Sequence, residues 1–346
     1  MTTIREIAAK SGYSPATVSR LLNDDPTFSI SDTAKERILK TARNLNYYQN
    51  KSMKGPGFKV AVIFSVTPRK ELEDAYYSNL RQNILTSGAT ANMVMTLFRD
   101  LNEVPNNIDG ILAVGSFSKA ELNKIKHLSG NIVFVDSNPD PHQFTSVQPN
   151  LEYITEHAID LFRMAGRTTI GLISGKYWNV STGTNPVGDV RRKYFESYMR
   201  QLNIFDNRLT FIGPDFSVES GYNLGMQVVQ QLGRDWLPQG FLIGSDPLAV
   251  GVLQAFNENK ITVPQDTAVI SVNDLDIAKY VSPPLTTFKI DLLELGQVAI
   301  DTLREVITFP DTSHKTILLD STLIVRKSFI PESEAEQPAT NQKTSQ

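Results

Sequence analysis

From Lys59 onward the chain alternates short apolar runs with segments of helical period, and few folds accommodate that order. The runs are Val60–Phe64, Gly110–Val114, Ile132–Val135, Thr169–Ile173, Gly240–Ile243 and Ala268–Val272; the helical segments cover 76–87, 151–165, 190–202, 219–233, 247–259 and 291–307. Strands that are apolar on both faces, each followed by a helix, build a parallel sheet covered on both sides. The pattern outlasts one doubly wound sheet, so two lobes are expected. Ligands of such sheets sit beyond the carboxyl ends of the strands, and Ser65, Ser116, Asp136, Ser174, Ser245, Asp246, Asn273 and Asp274 stand there. A Ser or Asp in that place also caps the next helix. Their recurrence nevertheless points to a cleft of hydroxyls, amides and carboxylates suited to a polyhydroxylated small molecule. Asp136 and Asp246 can also be read as an acid and a base. Neither a nucleophile elbow nor a phosphate loop accompanies them, and Gly171–Gly175 lacks the dinucleotide fingerprint. No catalysis and no cofactor are expected.

Residues 3–23 follow a different logic. Thr3 and Glu6 have capping-box spacing, Ile4, Ile7 and Ala8 share one helical face, and Gly12 offers the left-handed residue that stops a helix. Ser14 then suits an N-cap and Pro15 a first helical turn. With Val18, Leu21 and Leu22 turned inward, Pro15, Ala16, Thr17, Ser19 and Arg20 stay outside, as on a helix that enters a major groove. Any αα-corner needs the same caps and apolar stripe. Charge separates the two readings: residues 1–54 hold nine Lys or Arg against five Asp or Glu, a net of +4, leaving −7 on the remainder of a chain whose total is −3. A basic head on an acidic body is the distribution expected when only the head meets phosphates. A third helix is expected from Asp32 to about Asn46, and Gly55-Pro56-Gly57 ends the helical head.

Cysteine is absent, which excludes disulfides and thiolate chemistry, and four scattered histidines lack ligand spacing, so no metal is expected. Arg5, Glu6 and Lys10 occupy the place of an export signal's apolar run, and no stretch has the length of a membrane span. A cytoplasmic protein without membrane contact is expected.

Thr17-Val18-Ser19-Arg20 followed by Leu22-Asn23, Leu45-Asn46-Tyr47, Ser271-Val272-Asn273-Asp274 and Pro283-Pro284-Leu285-Thr286-Thr287 occur in the order and approximate spacing of one family. On these motifs the chain resembles the LacI/GalR transcription regulators over nearly its whole length. Asn23-Asp24-Asp25-Pro26-Thr27 and the Val272-Asn273-Asp274 strand end resemble the branch that governs galactose and β-galactoside operons.

The resemblance implies a homodimer on double-stranded operator DNA, with a helix-turn-helix head joined to a two-lobed α/β body like that of periplasmic binding proteins. It implies a head over 1–49, a hinge over 50–58, a first lobe from 59–161 and 289–321, and a second from 162–288 and 322–330. The tail, 331–346, is expected to be disordered. Pro15, Ala16 and Arg20 would face base edges, while Thr3, Ser14, Thr17, Ser19, Asn23 and Tyr47 would hold phosphates. A small sugar effector would meet Ser65, Asp136, Arg191, Phe216, Ser245, Asp246 and Asn273. The family's hinge leucine is missing: Pro56 stands near its place, and Met53 is the apolar residue left to substitute in the minor groove. A repressor released from its operator by a small sugar in the cleft is expected, with a corepressor- or phosphoprotein-controlled regulator as the alternative. A sugar-binding transport protein and a sugar-processing enzyme are the rivals from other classes; the first would carry an export signal and no basic head.

Overall fold

The computed structural model describes residues 3–22, 28–45, 57–177, 187–309 and 313–331. Asn23, Tyr47, Met53, most of the hinge and the tail after Pro331 lie outside the described residues. The chain divides into two units, residues 1–57 and 58–346.

The first unit is a helical head of α1 (Ile4–Ser11), α2 (Pro15–Leu22) and α3 (Asp32–Asn44). Thr3 Oγ1 accepts the Glu6 N–H at 3.3 Å and starts α1. Gly12, at φ 80°, ends it by sending its N–H to the Ala8 carbonyl, a conformation that costs a residue with a β-carbon about 1 kcal/mol or more. Ser14 Oγ accepts the Thr17 N–H at 3.0 Å, so α2 opens with Pro15 in a position where no amide proton is required. Ile7, Ala8, Val18, Leu22, Ile38 and Ala42 close the core between the three helices.

The second unit holds two sheets. In chain order its elements are β1 (Phe58–Phe64), α4 (Pro68–Glu73), α5 (Ala75–Thr90), β2 (Met93–Phe98), β3 (Gly110–Val114), α6 (Lys119–Leu128), β4 (Ile132–Val135), β5 (Thr145–Pro149) and α7 (Leu151–Met164). There follow β6 (Ile170–Ser174), β7 (Lys176–Tyr177), β8 (Val187–Gly188), α8 (Val190–Gln201), β9 (Thr210–Ile212), α9 (Val218–Leu232), β10 (Gly240–Ile243) and α10 (Asp246–Glu258). The last are β11 (Ala268–Asn273), β12 (Thr286–Lys289), α11 (Leu292–Thr308), β13 (Thr316–Leu319) and β14 (Thr322–Ile324).

The first sheet runs β13-β5-β4-β3-β1-β2, parallel throughout. The second runs β14-β12-β11-β10-β6-β9 and is parallel except at its β14 edge. Strands β3, β4, β6, β10 and β11 are buried along their whole length, which explains their unbroken apolar runs. In both lobes the connection reverses direction beside the lobe's first strand, between β1 and β3 and between β6 and β10. Such reversals leave a crevice at the carboxyl ends of the strands.

The chain passes between the lobes at Asn150, again at residues 290–291, and last at 320–321, where β13 ends in the first sheet and β14 begins in the second. One lobe limit differs from the expected 161. Helix α7 belongs to the second lobe from its first turn, because Asn150 caps it and its apolar face, with His157 against Phe288 and Phe162 against Phe329, packs on second-lobe side chains. Tyr198 of α8 donates to Asp160 on the same helix. The switch falls at the cap because an uninterrupted helix cannot divide its buried face between two cores.

Candidate ligand crevice and nucleic-acid interface

In the body, the strand ends and the lobe crossings enclose a crevice lined by Asp74, Tyr76, Tyr77, Asp136, Pro149, Leu151, Arg191, Phe216, Ser245, Asn273 and Ile290. About 340 Å³ of space outside the protein atoms, part of it open to solvent, lies between these residues.

Asp136 follows β4 with φ 72°. This left-handed turn, which Asp tolerates better than most residues, is anchored by the Asp136 N–H on the Val147 carbonyl at 3.0 Å. Tyr76, in the first turn of α5, donates its hydroxyl to Asp136 Oδ1. Burial pushes the Asp136 carboxyl up to about 6; Tyr76 and Arg191 oppose the rise, whereas Asp74 and Asp189 reinforce it. Asp74 caps α5 by accepting the Tyr76 N–H at 3.0 Å, and burial raises its carboxyl too.

Arg191 reaches the crevice from the first turn of α8 and is 4% exposed. Its Nε and Nη2 grip Asp189, Nη2 at 2.7 Å from Oδ2, and Nη1 donates to the Gly244 carbonyl. Its guanidinium lies 4.8 Å from the centroid of the Phe216 ring. Cation and aromatic face therefore form one wall, a flat surface with donors at its edge. Asn273, at φ 116°, ends β11, and Ser245 caps α10 while lining the crevice.

Five of the seven residues expected at the ligand, Asp136, Arg191, Phe216, Ser245 and Asn273, thus come together. Ser65 and Asp246 are not among the lining residues. Ser65 donates its N–H to Val114 and sits against Gly115, where a β-carbon would collide with its hydroxyl. Asp246 is fully buried; it accepts from Ser271 Oγ at 2.7 Å, Thr287 Oγ1 at 2.9 Å and the Leu275 N–H at 2.7 Å. Its carboxylate ties the start of α10 to β11, β12 and the turn after β11. Among the described residues no group of His, Asp and Glu could hold a metal, and no helix is long and apolar enough to cross a membrane.

In the head, Thr3, Ser14, Pro15, Ala16 and Arg20 are exposed, and Thr17 and Ser19 half-buried. The guanidinium of Arg20 rests over Phe28 at 4.8 Å from the ring centroid. Thr3 and Ser14 serve as helix caps, and their hydroxyls remain on the surface beside the helix starts.

Residues 3–50 match the model for "Bacterial regulatory proteins, lacI family", and residues 159–329 match "Periplasmic binding protein-like domain". The chain is 39% identical to the HTH-type transcriptional regulator GanR of Bacillus subtilis (strain 168) over 332 residues, covering 95% of this chain and 100% of that protein. The chain belongs to the lacI family. To the HTH-type transcriptional regulator LacR of Lactobacillus helveticus it is 40% identical over 340 residues, 96% of this chain and 99% of that protein. Among solved structures it resembles the transcriptional regulator CelR in its cellobiose complex, with TM-score 0.68, 20% identity and coverage of 95% and 100%. It also resembles the Lac repressor dimer bound to operator and an anti-inducer, with TM-score 0.65, 22% identity and coverage of 94% and 98%. These two establish the shared fold. As a lacI-family regulator the chain binds DNA through its helix-turn-helix head and is not an enzyme.

Asp74, Tyr76, Tyr77, Pro149, Leu151 and Ile290 line the crevice of this lacI-family body without having been singled out in the sequence. Asp74 had a usable signal, a cap residue directly before a helical segment in the first strand-to-helix connection. Pro149, Leu151 and Ile290 had none, since they line the crevice only because the chain crosses between lobes beside them.

Proposed function

We propose that this regulator is a homodimeric repressor of a galactose or β-galactoside utilisation operon, released from its operator by a small sugar held between the lobes. The observation that carries this reading is the meeting of Asp136 from the first lobe with Arg191, Phe216, Ser245 and Asn273 from the second around one crevice. Carboxylate, amide, hydroxyl and guanidinium groups pair with sugar hydroxyls, and the Phe216 ring offers the apolar face on which a sugar's C–H surface packs. A ligand bound by both lobes favours one lobe orientation. It switches the protein only by its differential affinity for the two orientations, typically about 1–3 kcal/mol. The relatives named for galactose and lactose regulation supply the operon class. In the head, Arg20 reads a base edge, with Pro15 and Ala16 packing beside it, while Thr3, Ser14, Thr17 and Ser19 set the register on phosphates.

The test is a mobility-shift titration of the full chain on a duplex selected from a randomised pool, with and without galactose or lactose. Sugar should weaken the complex at least about fivefold, the low end of typical coupling, and Arg20→Ala should cost roughly 1–3 kcal/mol and relax base preference at one position. Operator affinity indifferent to both sugars, or strengthened by them, rejects the inducer reading.

A further inference from the structure

The charges around the crevice select among sugars, an inference that rests on the sugar-effector reading above. Among the described residues three charged ones line it, Asp74, Asp136 and Arg191, and the guanidinium of Arg191 is already matched by the Asp189 carboxylate at 2.7 Å. The group is therefore three carboxylates against one cation, a net of −2. Lys70, a further cation that acts on Asp74, is paired with Asp215 at 3.1 Å.

We propose that the crevice accepts electrically neutral sugars and turns away their phosphorylated and uronic-acid counterparts. A phosphate or carboxylate placed between Asp74 and Asp136 would leave water and meet like charges. At an effective dielectric of about 20 and a separation of about 5 Å, one such pair costs about 3 kcal/mol, on the order of a 100-fold loss of affinity. Arg191 recognises hydroxyls from within an ion pair instead of capturing an anion. The regulator thereby reports the sugar before any kinase has acted on it.

Calorimetric titration of the full chain with D-galactose, lactose, galactose 6-phosphate and galacturonic acid tests this. Binding of galactose or lactose, with both anions weaker by about 100-fold, is the expected result. Asp74→Asn removes one charge and keeps a side chain that caps α5; it should narrow the ratio between galactose 6-phosphate and galactose by at least about tenfold, and Asp136→Asn gives a second reading of the same ratio, with circular dichroism verifying the fold of each. Galactose 6-phosphate binding as tightly as galactose, or a ratio unmoved in both variants, overturns the charge selection while the sugar reading stands. If none of the four compounds binds, the galactose reading fails and this inference goes with it.

Discussion

Asp136 in the first lobe and Asp246 in the second invite comparison. Each follows an apolar strand, Asp246 is buried and Asp136 half-buried, and desolvation pushes each carboxyl up to about 6. Their surroundings assign them opposite work. Asp246 is held by two hydroxyls and a backbone N–H that belong to β11, β12 and the turn after β11. Asp136 is held by the Tyr76 hydroxyl on one oxygen and stands in the crevice wall opposite Arg191. A perturbed carboxylate therefore marks a strained position without saying whether fold or ligand bears the strain; the partners decide it.

The largest effect separating the two is stability. Asp246→Ala leaves the Ser271 and Thr287 hydroxyls and the Leu275 N–H buried without their acceptor, and should cost about 3–5 kcal/mol in urea unfolding of the body. Asp136→Ala strands one tyrosine hydroxyl at the edge of a crevice and should cost about 1–2 kcal/mol. Equal losses from the two would erase the distinction.

The next effect is on ligand and pH. Asp136→Asn should lower galactose or lactose affinity by about tenfold or more, the worth of a hydrogen bond to a charged group, as read by calorimetry at neutral pH. In the parent chain that affinity should fall as pH drops through about 6, where Asp136 takes up its proton, and the Asp136→Asn variant should lose this dependence. Stability moves the other way. Both raised carboxyls favour the folded body when protonated, so their contribution is complete below the ordinary 3.8 and is lost as pH rises through about 6. Asp215, despite some burial, is lowered to about 2 by its Ser220, Ser217 and Lys70 hydrogen bonds; its contribution is present above 3.8 and lost as pH falls towards 2. A melting temperature that climbs from pH 7 to about 5 in the parent, and less so in Asp246→Asn, is the expected profile.

The smallest effect concerns closure of the crevice. Lys70 of α4 and Asp215 after β9 form an ion pair between lobes at 3.1 Å, with both side chains part-exposed. Water screens such a pair, so Lys70→Ala should change stability by no more than about 1 kcal/mol. It should still loosen the closed lobes and weaken sugar binding by about two- to fivefold, as small free energies do in a two-state equilibrium. Unchanged affinity would mean that the bridge follows closure rather than favouring it.

How much was legible differs between the two units. The head's caps, its glycine stop and its inward stripe are all separated by three or four residues, so local spacing placed Thr3, Gly12, Ser14 and Val18 where the structure has them. In the body, apolar runs identified the buried parallel strands, and the polar residues at their ends marked the rim of the crevice. Spacing had no means of separating Asp136 from Asp246, because the hydroxyls that claim Asp246 come from residues 271 and 287. Likewise Arg191 reads as one of three consecutive basic residues until Asp189, Gly244 and Phe216 are seen around it.

The amino-acid order by itself determined the class of each part: a basic corner of capped helices, then alternating strand and helix with polar strand ends, because caps and hydrophobic periodicity act over a few residues. Only the tertiary structure decided where α7 changes lobe, why Pro149 and Ile290 line the crevice, and which carboxylate stands in the crevice wall. Those outcomes depend on which distant groups share a buried volume, since a desolvated charge takes its role from the partners that the closed fold supplies.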